Sequence, residues 1–452
     1  MSKFYTAMRL SFTVVVSLFI ALLGLYNGPA KVEAQNQKPL LSSRAENVNA
    51  TSNVTLNFTM PSGFILSGTV KSADGTPVFT GSVRAQSGGQ IYSGPIMFRG
   101  ISSMYQIVLP AGAYSLSVES LALDPATGSA LFITSDVPGM VTVMGNTTRD
   151  IALAPPPATV PISGNVTSAG TLPTEGGISF TSSDRKIAAS VELDGSYSAR
   201  LPKGTYDVAI SLGDIQSGDE DASLILRMGM ITVNGPQSFN FMLPTTVALS
   251  GTVKNSNGTP AVPSSVFAID TNDLGSLPSG TVGCEGGSFF TFLATLGSAS
   301  IDKDSTTGAY RLALPPRAYS VAVTLDLDPR EEGASILSFP IPFLGLTLNA
   351  DRTQNFVTPQ LPPFVTISGK VTDATGQPVA GAIVSAFTSK ITNTPNAAFS
   401  TAVETASDGS YQLRVLSGTE YTVLVCPPQP GGSKLLAIGK LNKAVETMLQ
   451  LK

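Results

Sequence analysis

The chain has 452 residues, too many for one hydrophobic core, and 13% of them are charged against 42% hydrophobic. With 43 Gly, 32 Pro and abundant Ser and Thr, it suits many short strands joined by turns better than long charged helices. A net charge of −4 without a basic run argues against nucleic acid as a partner. The lack of any His removes Ser-His-Asp and Cys-His catalysis and His-based metal sites together.

Lys3 and Arg9 precede an apolar stretch from Leu10 to Tyr26, and Val32-Glu33-Ala34 places small residues before Gln35. That is the pattern of an export signal cut after Ala34, so residues 1–34 read as a signal peptide. The other reading is an uncleaved anchor helix, which would be the chain's membrane contact. No later run reaches the ~18 apolar residues of a second span. The expected location is therefore extracellular, at the cell surface or in a periplasm. Residues 35–62, rich in Asn, Ser and Thr, read as a flexible lead-in.

Four repeats come after it. Each opens with a strand carrying Ser-Gly: Ser67-Gly68, Ser163-Gly164, Ser250-Gly251 and Ser368-Gly369. A Gly-Pro turn comes next, as Asp74-Gly75-Thr76-Pro77, Asn257-Gly258-Thr259-Pro260 and Thr375-Gly376-Gln377-Pro378, where Gly supplies positive φ and Pro stiffens the exit. The second copy keeps only Gly170 and Pro173. A second strand, clearest as residues 382–387, leads to a hairpin bracketed by paired tyrosines. The pairs are Tyr105/Tyr114, Tyr197/Tyr206, Tyr310/Tyr319 and Tyr411/Tyr421. In the first copy Tyr105, Ile107, Leu109, Tyr114, Leu116 and Val118 share one parity and so one face, the core side. Copies three and four depart from the hairpin pattern at Arg317 and Leu416. A final strand closes copies one to three, as in Ile231-Thr232-Val233 leading to Phe239, Phe241 and Leu243.

Pro155-Pro156-Pro157, Pro244 and Pro362-Pro363 mark boundaries, giving repeats over 63–157, 158–244, 245–361 and 362–452, with an insertion in the third near 271–300. Short strands with frequent turns and no helical period predict an all-β chain of four tandem β-sandwich modules. Ser-Gly-x-Val, Asp-Gly-Thr-Pro-Val and Gly-x-Tyr-x-Leu-x-Leu-Pro-x-Gly-x-Tyr-x-Val-x-Val resemble the carboxypeptidase regulatory-like domain. The resemblance covers nearly all of residues 63–452. It implies a seven-stranded, transthyretin-like sandwich of the carbohydrate-binding-like group, a module that is usually a non-catalytic passenger.

Candidate site residues are few. Asp219, Asp221, Asp326 and Asp328 follow the second tyrosine strands of copies two and three, where an oxygen-rich loop could hold Ca²⁺ and a solvated turn is the plainer reading. No other cofactor is expected. Tyr92, Phe289, Phe290 and Phe292 are the aromatics left for stacking on a sugar, the three phenylalanines equally serving as the core of the insertion. With no Trp and the paired tyrosines committed to the core, the expected function is non-enzymatic binding, adhesion or spacing at the cell surface. Its partner would be an extracellular protein or a polysaccharide, and carbohydrate binding through the loops or the insertion is the alternative. Six Asn-x-Ser/Thr triplets, at Asn49, Asn53, Asn57, Asn146, Asn165 and Asn257, are acceptor patterns for glycans, but a Ser/Thr-rich chain produces many by chance. Cys284 and Cys426 lie in different repeats, and the plainer reading is that they do not meet.

Overall fold

The computed structural model describes residues 39–428 except 76, 79, 100–101, 124–129, 156, 171–175, 184, 214–222, 262, 271–297, 300–306, 327–335, 341–345, 389–390 and 392–397. The chain is all-β, with no helix among the described residues. Phe289, Phe290 and Phe292 of the insertion and the acids Asp219, Asp221 and Asp328 lie outside the described residues.

The Ser-Gly strands are Phe64–Lys71, Thr159–Ser168, Val247–Lys254 and Phe364–Asp373. Each pairs antiparallel with the first tyrosine strand of its repeat, in the same register four times: Gly68 opposite Tyr105, Gly164 opposite Tyr197, Gly251 opposite Tyr310 and Gly369 opposite Tyr411. The second tyrosine strand pairs with the second strand of the repeat, forming the other layer of the sandwich. Alternation does what the parity predicts: Tyr105, Ile107, Leu109, Tyr114, Leu116 and Val118 are all buried. The turn glycines Gly75, Gly258 and Gly376 have φ of 85°, 85° and 83°, the left-handed region that the Gly-Pro turn requires. Arg317 fills the hairpin turn of the third copy without a left-handed backbone, and only the fourth copy, one residue longer, changes its turn, with Gly418 at φ 69°.

A two-part strand closes each sandwich by running parallel to the Ser-Gly strand on its free side. In the first three repeats it comes from the end of the same repeat: 147–148 and 151–152, then 237–238 and 241–243, then 352–353 and 356–357. In the fourth it comes from the other end of the chain. Val54–Thr55 and Phe58–Met60 run parallel to Phe364–Asp373, and Ser43–Asn49 pairs antiparallel with Glu420–Cys426. Residues 39–60 are therefore not the flexible lead-in expected from their composition. Their Leu40, Ala50, Phe58 and Met60 are buried in the core of the fourth repeat, and burial outweighs the polar residues between them.

The repeats also share structure with their neighbours. Ala130–Val143 of the first pairs with Arg185–Val191 of the second, and Ile336–Pro340 of the third pairs with Ala398–Glu404 of the fourth. The second and third share one hydrophobic core. Because residues 39–60 and the last described strand both belong to the fourth repeat, the four form a closed cycle rather than a string with two free ends. Cys426 is disulfide-bonded, and Cys284 lies outside the described residues.

Candidate functional site

The chemistry that recurs in every repeat sits where the closing strand meets the Ser-Gly strand. A Cβ built on Gly68, Gly164, Gly251 or Gly369 would lie 2.1, 1.7, 1.9 or 1.9 Å from the carbonyl oxygen of Arg149, Phe239, Gln354 or Leu56 respectively. Only glycine lets that carbonyl in. The tyrosine facing the glycine then donates its hydroxyl to the same oxygen, at 2.7 Å from Tyr105, 2.8 Å from Tyr197, 2.6 Å from Tyr310 and 2.6 Å from Tyr411. The amide of the same closing-strand residue donates to the carbonyl of Ser67, Ser163, Ser250 or Ser368. Glycine, tyrosine and carbonyl together make a lock that holds a strand by its backbone and not by its side chains.

The next residue of the closing strand is Asp or Asn in all four. The amides of Thr69, Asn165, Thr252 and Lys370 donate to the side-chain oxygens of Asp150, Asn240, Asn355 and Asn57 at 2.8–3.0 Å. Three repeats carry a second such acceptor four residues earlier, Asn146, Asp351 or Asn53, bonded to the amides of Ile65, Ala248 and Thr366. The side-chain oxygens take amides that an irregular parallel strand leaves without a carbonyl. Asn53, Asn57 and Asn146 are thus acceptors of the fold, a structural reason for three of the Asn-x-Ser/Thr triplets.

The second tyrosine of each pair anchors its own hairpin. Tyr114, Tyr206 and Tyr319 donate to the carbonyls of Pro110, Pro202 and Pro315, and Tyr421 to that of Leu416. Burial is the leading cause that pushes the tyrosine hydroxyls up: Tyr105 to about 12, aided by the Asp150 charge, and Tyr114, Tyr197, Tyr310, Tyr411 and Tyr421 upward as well. The Asp150 carboxyl moves the other way, held below the usual carboxylate range by the backbone and side-chain hydrogen bonds of Thr69.

Of the residues singled out from sequence, Tyr92 and Asp326 lie among the described residues. Tyr92 is half-buried and meets Tyr114 edge-on, ring centres 6.0 Å apart at 84°, so its ring packs on the first core. Asp326 ends the strand Ala318–Asp326, opposite Ile336. Among the described residues no group of three or more His, Cys, Asp or Glu could hold a metal ion. A cleft between the second and third repeats, lined in part by Arg227, Asp270, Arg317 and Tyr319, has about 20 Å³ of room, enough for one water. What sequence reasoning missed is the acceptor segment itself. The signal was Asn-x-x-x-Asn-Phe at 53–58, matched by Asn146…Asp150-Ile151 and Asp351…Asn355-Phe356.

The geometry defines a class: tandem β-sandwich repeats, each locked by a tyrosine onto a parallel closing strand. Residues 366–431 match the carboxypeptidase regulatory-like domain family, a stretch running from the Ser-Gly strand of the fourth repeat past its second tyrosine strand. No curated protein matches the chain. Among solved structures, the Bacillus anthracis TIE protein is similar at 10% identity and a TM-score of 0.16, covering 86% of this chain and 73% of its own. A streptococcal ancillary pilin is similar at 8% identity and a TM-score of 0.17, covering 66% of this chain and 100% of its own. A shaft pilin from Lactobacillus rhamnosus GG is similar at 8% identity and a TM-score of 0.18, covering 45% and 100%. Scores this low carry no inference about what this chain does.

Proposed function

We propose that this chain is an exported, non-catalytic β-sandwich protein that binds or adheres at the cell surface through the loops at its module ends and the insertion of its third repeat. The observation that carries the reading is the fourfold lock. It commits all eight paired tyrosines to backbone carbonyls and leaves a rigid framework from which loops project. The signal pattern of residues 1–34 and the family match at 366–431 support the same reading. The closed order of the repeats favours a platform over a spacer, since a cycle of modules spans less distance than the same modules in a string. The test is binding of residues 35–452 to immobilised extracellular proteins and to an array of plant, fungal and bacterial polysaccharides. Replacing residues 271–283 and 285–297 by short Gly-Ser linkers, with Cys284 kept for the disulfide of Cys426, is expected to abolish capture without moving the melting temperature. Capture that survives this replacement, or silence of the intact protein on every surface, would overturn the assignment.

A further inference from the structure

In the first two repeats the closing strand follows its penultimate strand after a short turn, from Val143 to Thr147 and from Val233 to Gln237. In the third, Leu346–Thr347 leads in the same way to Arg352. Those closing strands stay covalently bound to the sheets they complete. In the fourth, Ser43–Asn49 leads to Val54 in the same way, but among the described residues this pair of strands has no short covalent link to the sheet it completes. Its closing piece, residues 39–60, is joined to the rest of the described chain only through Pro61–Gly63, which lead into the first repeat. The partners of Asn53 and Asn57 lie 313 residues away along the chain. Among the described residues no strand of the first repeat pairs with a strand of the third or fourth, so this piece is the strand contact that ties the first repeat to the fourth.

Release of residues 39–60 would bare one edge of Phe364–Asp373, leave the Tyr411 hydroxyl without its acceptor, and open the core around Ile367 and Val371. A bare edge is a template for another strand. It would select one with an Asn four residues before a second Asn, a free carbonyl between them at Leu56, and Phe58 and Met60 to fill the core. Every copy of the chain carries that strand. We propose that the piece is exchangeable, so that the fourth repeat of one copy is completed by residues 39–60 of a second copy, joining molecules head to tail. Donor and acceptor surfaces differ, so repetition builds a ring or an open chain and not only a pair.

Asn49 and Glu420 face each other across the antiparallel pair and both are exposed, which makes them suitable for cross-linking. An affinity-tagged N49C chain and an untagged E420C chain are mixed, warmed to just below the melting transition, cooled and oxidised, with the unsubstituted chain as the blank for Cys284 and Cys426. The expected product is a disulfide-linked pair of one tagged and one untagged chain, its share rising with protein concentration. The N49C/E420C double variant, oxidised dilute, should cross-link within one chain. If the double variant closes on itself while the mixed single variants give no linked pair at any concentration, exchange does not occur. If the double variant fails to close as well, the two strands are not neighbours and the proposal falls. Deleting Ser62 shortens the hinge and is expected to raise the linked share at least severalfold; an unchanged share would count against the hinge.

Discussion

The second and fourth repeats use the same lock and differ in where the locked strand comes from. In the second, Phe239 enters beside Gly164 on a strand that its own chain delivers after a short turn. In the fourth, Leu56 enters beside Gly369 from the far end of the molecule. The distances agree within about 0.2 Å, so the local chemistry is the same and only the tether differs. A tethered strand that slips is recaptured at once, because its effective concentration is set by a few residues of linker. One tied to its sheet only through the other three repeats depends more on its contacts. The contrast separates what the lock contributes from what covalent continuity contributes.

The strongest test of that difference is removal of residues 39–60. Leu40, Ala50, Phe58 and Met60 leave the fourth core together, so the expected loss exceeds the roughly 2–5 kcal/mol of any one large core truncation. Hydrogen exchange should show Phe364–Asp373 and Glu420–Cys426 losing protection while the strands of the first two repeats keep theirs. Retained protection in the fourth repeat would mean that the piece is dispensable. Next in size are Gly369→Ala and Gly164→Ala, each of which drives a methyl into a backbone carbonyl at 1.9 or 1.7 Å. Both should cost roughly 2–4 kcal/mol. The fourth repeat should relieve the clash by expelling its strand, seen as protease cleavage within residues 39–60. The second should stay intact and strained.

Alkaline pH acts on the same hydroxyls in every repeat. A folded tyrosine such as Tyr105 keeps its proton to about 12, whereas the unfolded chain loses it near pH ~10. Above that value the unfolded state binds fewer protons, so stability is unaffected below pH ~10 and falls as pH rises above it. Absorbance of ionised tyrosine should therefore rise together with unfolding, and the fourth repeat should lose exchange protection first. Independent titration of these tyrosines near pH ~10 in the folded protein would contradict their burial. Tyr411→Phe and Tyr197→Phe should each cost about 1 kcal/mol through the lost hydroxyl bond. The first substitution should also speed the exchange of residues 39–60 between copies, which the second should not.

Much of this was legible in the sequence. The tyrosine pairs gave the hairpins, their parity gave the core face, and Ser-Gly marked the strand that faces them in register. The closing of the fourth repeat was not legible, for a physical reason. The repeating unit is offset along the chain, so a search that begins at the first Ser-Gly leaves one closing strand over ahead of it. That strand is also cut into pieces of two and three residues, too short for hydrophobic alternation to register. Its polar residues, which suggested a loose lead-in, are the acceptors Asn53 and Asn57. Tyr92, chosen as a sugar candidate by residue type, has a core to fill, since its ring packs on Tyr114.

The smallest expected effect distinguishes the first repeat from the other three. Its acceptor beside the lock is Asp150, where the others have Asn240, Asn355 and Asn57. Hydrogen bonds from the Thr69 amide and hydroxyl hold the Asp150 carboxyl below the ordinary carboxylate range. A group lowered in the folded state contributes stability that is present above about pH 4 and lost as pH falls through its folded value. An asparagine in the same place accepts the same amide and does not titrate. Asp150→Asn should therefore leave neutral stability nearly unchanged and flatten the acid limb of unfolding for the first repeat alone, read by hydrogen exchange at Phe64–Lys71 between about pH 5 and 2. Asn57→Asp should give the fourth repeat the acid sensitivity that the first one lost. If neither exchange of side chains moves the acid limb, the carboxyl at this position takes no part in holding the closing strand.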